Sequence, residues 1–334
     1  MKKYLYIYVI LTSIVGFSGC QTGDIKTIVT KADRDVSIEL NEISLDRELA
    51  MPSRMFMVDN KLVILQHQGD TLFSVFPEPL NGCFINCGLK GRGPDEFMGI
   101  DARSIVAHDG GFQCVDAGGV LKKVSISNNR ISVTSKEKIK TDNIPQNGIL
   151  IHDGYVTINL NDKESEYLYY GFGKNEQESM KLVGEYPDWT ADAGMPAAFL
   201  YMKHLVGHPT ANKFASFYSY FRRVRITDLD KGNMIDIDVQ IPDKFPEYSP
   251  NEKIIAYSSF PCVTRDGIFA LCLNKITSDD KKMPEIHLWG WDGKLKRRIT
   301  LNKPIDMFVV DSNRHIYALD RQKPEYLYHS DLHL

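Results

Sequence analysis

Residues 260 to 301 restrict the fold of this chain more than any other stretch, because they read as four strands with turns between them. Phe260 to Thr264 and Ile268 to Asn274 are short apolar runs on either side of Arg265-Asp266-Gly267. An Asp-Gly pair between two such runs is a strong hairpin signal. Glu285 to Trp291 then runs into Asp292-Gly293, and Lys294 to Leu301 returns with Leu295, Ile299 and Leu301 on one side. Four antiparallel strands in about 40 residues are the size of one propeller blade.

The plan recurs along the chain. A first unit takes Arg54 to Val58, Lys61 to His67, Thr71 to Phe76 and Cys83 to Leu89. A second takes Arg103 to Ala107, Phe112 to Asp116, Val120 to Ser125 and Arg130 to Lys136. The third comprises Gly148 to Ile151, Tyr155 to Asn159, Tyr167 to Phe172 and Met180 to Tyr186. The fourth is less regular, with Lys203 to Gly207, Lys213 to Tyr218, Phe221 to Thr227 and Met234 to Ile241. First turns fall near residues 59, 109, 153, 211, 266 and 312, so the spacing scatters about one blade length and the repeat is structural rather than literal.

The sixth unit shows only three strands, Met307 to Val310, His315 to Leu319 and Glu325 to His329. At the other end, Val36 to Ile43 alternates apolar and polar residues with no partner nearby. Pairing these two ends closes a ring and removes an exposed sheet edge. The expected fold is therefore all-β, a six-bladed β-propeller of four-stranded antiparallel blades, closed by the N-terminal strand and spanning residues 34 to 334 as one domain. A β-sandwich, or two smaller β domains, would use the same strands but would not explain the orphan strand facing a three-stranded unit.

The first residues belong to an address rather than to the core. Lys2 and Lys3 precede the apolar run Tyr4 to Val15, and Phe17-Ser18-Gly19-Cys20 follows. This resembles a bacterial lipoprotein signal, which implies removal of residues 1 to 19 and lipidation of Cys20, although Phe17 stands where leucine is usual. The run is too short to cross hydrocarbon, which takes about 20 residues. Residues 20 to 33 then read as a polar tether. With only Asp24 as an acid soon after Cys20, the expected location is the periplasmic face of the outer membrane.

Of 334 residues, 43% are hydrophobic, 25% are charged and the formal charge is −3. Without basic blocks, that balance argues against a nucleic-acid partner. Beyond Cys20 the cysteines are Cys83, Cys87, Cys114, Cys262 and Cys272, an odd number in an exported chain. Cys262 and Cys272 flank the Asp266-Gly267 turn, where either a cross-hairpin approach or two buried thiols is compatible with the spacing.

The lipoprotein signal, the six units and the segment Gly88-Leu89-Lys90-Gly91-Arg92-Gly93-Pro94-Asp95-Glu96-Phe97 together resemble the TolB-like or NHL-like six-bladed propeller lipoproteins of Bacteroidetes. In those proteins a Gly-x-Gly-Pro-x-Glu-Phe segment follows an early blade. The resemblance covers nearly the whole mature chain. It implies fold rather than activity, since the fold hosts many activities.

Candidate functional residues follow from topology. If strands run from the channel outward, the links between blades and those in mid-blade share one rim. That rim gathers Arg54, Arg92, Glu96, Arg103, Trp189, Asp192, Tyr201, Lys203, His204 and Arg321. Its cations suit an anionic ligand, and Trp189 or Tyr201 suits a sugar or peptide ring. The plainer readings are rim charge in solvent, aromatics packed between blades, and Arg92 paired with Asp95 or Glu96 to pin a crossing. Trp289 and Trp291 share a strand face, as expected for wedge packing. No cofactor or metal is implied: Cys83 and Cys87 lack a second ligand pair, and the hydrolase, metalloprotease and calcium-loop patterns are missing. The expected function is a lipid-anchored envelope module binding a protein partner or an envelope saccharide or peptide, with a propeller lyase or hydrolase as the alternative.

Overall fold

The computed structural model describes residues 25–128, 130–139, 147–160, 164–172, 180–190, 194–240, 254–276 and 282–333. The fold is the expected six-bladed propeller. Blade one is Pro52–Val58, Lys61–Gln66, Thr71–Phe76 and Ile85–Leu89, from the channel outward. Blade two is Val106–His108, Gly111–Asp116, Val120–Ser127 and Arg130–Lys138; blade three is Gly148–Ile151, Gly154–Ile158, Ser165–Gly171 and Met180–Glu185. Blade four is Lys203–Gly207, Lys213–Tyr218, Arg223–Asp228 and Asn233–Gln240. Blade five is Ile254–Thr264, Gly267–Ile276, Glu285–Trp289 and Leu295–Leu301.

Blade six takes Met307–Val310, His315–Leu319 and Tyr326–Asp331 from the end of the chain and Asn41–Ser44 from its beginning, paired antiparallel as Leu327 with Ile43. The closing strand is shorter than its alternating pattern suggests. Val36 to Ile43 breaks at Glu39-Leu40: Leu40, 2% exposed, enters the core between blades five and six, and its amide donates to the Asn302 side chain at 2.8 Å. The first half, Asp35–Ile38, instead runs parallel to Leu295–Leu301 as a fifth strand on blade five. A third piece, Ile25–Lys31, falls in the stretch read as tether and forms a fifth strand on blade four, parallel to Asn233–Gln240. Ile28 has its side chain inward against Ile237, and that contact is what a reading of polarity alone misses. The N-terminal segment thus laces blades four, five and six in turn.

Among the described residues, apolar side chains collect in seven clusters, six of them one at each blade-to-blade interface and the seventh on blade four around Tyr201 and Phe221. Every blade is therefore buried on both faces, which is why second strands such as Lys61–Gln66 and Gly154–Ile158 are buried along almost their whole length. Trp289 is fully buried and packs on Phe217 between blades four and five, as wedge packing predicts. Inner strands of successive blades touch around the ring, with the 3₁₀ turn Ala102–Ser104 bridging blades two and three.

One rim is fastened blade to blade through its hairpin turns. Asp59 accepts from the Gly110 amide at 3.0 Å, Asp153 and Asn212 exchange bonds at 3.0 Å, and Lys213 donates to the Trp291 carbonyl at 2.7 Å. Arg314 grips Asp266 through two bonds of 2.9 and 3.0 Å. The opposite rim carries the links expected to hold functional residues.

Candidate functional site

The structure sorts the candidate residues into three places. Arg54, Arg103 and His204 come together in the channel, although they stand on blades one, two and four. Arg54 sits near the start of the inner strand of blade one and reaches sideways. One of its terminal nitrogens donates to the Ala102 carbonyl and the other to the Ile105 carbonyl at 2.8 Å, so it holds the turn that carries Arg103. The same guanidinium lies 5.1 Å from the ring centre of Phe260 on blade five. The His204 ring meets that phenyl edge-on at 6.5 Å. A contact between blades one and five, which are not neighbours, is made across the axis.

Phe260 reaches the axis because its strand is irregular. The inner strand of blade five begins at Ile254, not at Phe260, and its register with Gly267–Ile276 slips between Ser258 and Cys262. Ser259 has φ of +69° there, a left-handed conformation that is uncommon for a residue with a side chain. The sequence signal was Pro261, since proline within a strand is found at bulges and edges.

Asp101 anchors this cluster from beneath. Its carboxylate accepts from the amides of Arg103, Asn147 and Gly148 and from the Tyr155 hydroxyl, at 2.9 to 3.0 Å. With its lone pairs so occupied, Asp101 forms no direct pair with either guanidinium. Burial pulls Arg54 down to about 10, with Asp101 opposing, and lowers Arg103 in the same way, yet both stay cationic at neutral pH. Burial and then the Arg103 charge depress His204 to about 4, so its imidazole is neutral. Nδ1 of His204 and Nε of Arg54 are sealed from solvent without a hydrogen-bond partner.

Lys203, next to His204 on the same strand, goes elsewhere. It points between blades three and four into a closed charge cluster and bonds to Glu166, with Tyr167, Tyr218 and Tyr186 rings 5.0 to 5.1 Å away. Arg225 donates to Glu166 at 2.5 Å and to Asp236 at 2.6 and 2.8 Å, and Tyr218 donates to Glu166 at 2.7 Å. Burial alone raises a carboxyl group, but Lys203 and Arg225 hold Glu166 below its usual range. Burial drops Lys203 to about 8 against the pull of Glu166. The residue is a structural cation and is not part of the channel site.

The remaining candidates lie away from the channel. Glu96 folds back over its own loop and accepts from the Gly93 amide at 2.6 Å, while Asp95 accepts from Val133 on the outer strand of blade two at 2.9 Å. A Cβ added to Gly91 would fall 2.1 Å from the Glu96 carboxylate, and one on Gly93 2.8 Å from it. The two glycines and the glutamate therefore form one turn, pinned by Phe97, which is fully buried between blades one and two. Arg92 is exposed on that loop and pairs with neither Asp95 nor Glu96.

Trp189 packs on Tyr201 at 5.7 Å and Tyr218 at 4.6 Å under the Arg223 guanidinium, so these aromatics cap blade four rather than forming an open platform. Arg321 is exposed and bonded to Asp306 at 2.9 Å. Asp192, Cys20 and residues 1 to 19 lie outside the described residues. Cys262 sits opposite Phe269 and Cys272 opposite Tyr257, so the cross-hairpin approach is not made, and the five described cysteines are free thiols. Among the described residues no group of His, Cys, Asp or Glu is arranged to hold a metal ion, and no helix is long and apolar enough to cross a membrane.

Sequence reading found three of the channel residues but missed Asp101 and Phe260. Asp101 carried no signal of its own, being one acid in a link, and its importance rests on amides some 46 residues further on.

A family described as TolB-like 6-blade propeller-like matches residues 36–313. Among solved structures, a member of the DUF4221 family from Bacteroides vulgatus superimposes with a TM-score of 0.54 at 10% identity, covering 88% of this chain and 96% of that one. A luciferin-regenerating enzyme gives 0.47 at 10% identity, covering 88% of this chain and 96% of that one. A streptogramin B lyase gives 0.42 at 9% identity, covering 88% and 87%. These likenesses concern the fold alone. No curated protein matches the sequence.

Proposed function

The chain belongs to the TolB-like 6-blade propeller-like family, and from that premise we propose that it is a cell-envelope binding module whose channel site at Arg54, Arg103 and His204 receives a protein partner or an envelope-derived saccharide or peptide. The observation that carries this reading is that Nε of Arg54 and Nδ1 of His204, on blades one and four, are buried without a partner beside the unbonded side chain of Arg103 on the link into blade two. Buried donors are normally satisfied, and a cluster of exceptions is most simply completed by a ligand.

Binding is favoured over catalysis by the state of His204. An imidazole depressed to about 4 is a weak base at neutral pH, whereas a general base works best with a pKa near the working pH. The lyase or hydrolase alternative therefore lacks its most natural proton acceptor.

Anchoring through lipid on Cys20 at the periplasmic face of the outer membrane is part of the same proposal. It is supported by the Lys2-Lys3 head, the apolar run and Phe17-Ser18-Gly19-Cys20. Incorporation of labelled fatty acid into the native chain but not into Cys20→Ala tests the anchor. Removal of the protein from intact cells by external protease contradicts the periplasmic side.

The central test is a pull-down from solubilised envelope with the full chain, beside an Arg54→Ala, Arg103→Ala double variant of matched unfolding midpoint. A partner or glycan retained by the native chain and lost by the variant establishes the channel as the site. Equal retention by both moves the site off the channel.

A further inference from the structure

The charge and geometry of the channel cluster limit the chemistry of what it holds. Two guanidinium groups, Arg54 and Arg103, face one carboxylate, Asp101, which is the acidic group acting on both. His204 is neutral, so the cluster carries one net positive charge. Arg54 already uses one N–H of each terminal nitrogen on the carbonyls of Ala102 and Ile105. Arg103 uses only its backbone amide, on Asp101, and its side-chain fork makes no hydrogen bond or ion pair among the described residues. The open groups are therefore the planar fork of Arg103, the Nε of Arg54 and an imidazole nitrogen of His204, and the wall between Arg54 and His204 is the phenyl ring of Phe260.

Resting on the reading of the channel as the binding site, we propose that the group received there is a single carboxylate, clasped by the Arg103 fork and His204, with an attached apolar or ring-shaped body lying against Phe260. A guanidinium presents two parallel N–H groups that match two carboxylate oxygens in one plane. One negative charge brings the cluster to neutrality. A dianion leaves one charge uncompensated in a partly buried place, and a neutral amide leaves the Arg103 charge unpaired, both of which are costly. The carboxylate can belong to an acidic sugar or to the end of a peptide, since the cluster reads only the shared group.

Calorimetric titration of the full chain in detergent tests this with benzoate, benzamide, phenyl phosphate and dimethyl phosphate. Benzoate is expected to bind, with affinity roughly tenfold or more lower for each of the other three. The same loss is expected for benzoate on Arg103→Ala, a smaller one on Arg103→Lys, and none on Lys181→Ala, an exposed outer-strand control. Glucuronate and N-acetylalanine then assign the carboxylate to a sugar or a peptide end. If benzamide or either phosphate binds as well as benzoate, and Arg103→Ala still abolishes binding, the carboxylate is refuted while the channel site stands. If benzoate binds Arg103→Ala as it binds the native chain, or if none of the probes binds, both readings fall.

Discussion

Lys203 and His204 are consecutive residues on one inner strand, and they enter opposite kinds of polar interior. Lys203 faces blade three, where Glu166, Arg225, Asp236 and Tyr218 partner one another. His204 faces the channel, where its Nδ1, like the Nε of Arg54, is buried and unpaired. The alternation of a β-strand separates them by one residue and by purpose. The fully partnered charges around Lys203 belong to the scaffold, and the open nitrogens of the channel belong to the proposed site.

The largest expected effect strikes the closed cluster. Glu166→Ala leaves Lys203 and Arg225 buried without their shared partner, and a loss of about 3–5 kcal/mol is expected from the urea unfolding midpoint. A loss under about 1 kcal/mol in that experiment would erase the distinction between the two interiors.

His204 gives the next effect, and it depends on pH. Its folded pKa of about 4 lies below the ordinary 6.5, so between those values the unfolded chain binds a proton that the folded chain refuses. Stability therefore falls as pH drops through that window, by up to about 3 kcal/mol. His204→Gln is expected to flatten that part of the curve of unfolding midpoint against pH. An unchanged slope assigns the acid sensitivity to another group.

Fastenings on the turn rim are worth less. Arg314 and Asp266 are solvent-screened, and Arg314→Ala is expected to shift the same unfolding midpoint less than either change above.

The smallest effect is the sharpest. Arg103→Ala is expected to leave stability unchanged within about 0.5 kcal/mol, or to raise it, because it removes a partly buried charge with no partner. A loss above about 2 kcal/mol would place Arg103 among the scaffold residues with Lys203.

How much of this was legible in the sequence follows from the range of each signal. Asp-Gly and Asn-containing turns between apolar runs are local, and they revealed the six blades. Twofold alternation in Val36 to Ile43 revealed a strand without a neighbour, but not that Leu40 would leave the sheet and divide it between two blades. The channel residues were found as members of a rim, because topology assigns rims. Separating His204 from Lys203 needed the direction of each side chain, and separating Glu96 from the site needed its bond to the Gly93 amide. Phe260 was hidden because its position depends on a bulge. The Gly-x-Gly-Pro-x-Glu-Phe segment carries the family resemblance in the sequence, and in the structure its two glycines lie against one carboxylate, that of Glu96.

The N-terminal lacing has a consequence for how the molecule comes into being. Ile43 pairs with Leu327, Val36 with Ile299 and Ile28 with Ile237, so the earliest residues of the fold wait for the latest. Such distant pairings come slowly, since a long loop must close before they are rewarded. A chain emerging from its N-terminus carries three unmatched strands until blades four, five and six exist in turn. Ring closure is then a final event, and a chain interrupted before residue 326 keeps an open seam at which another polypeptide edge can pair.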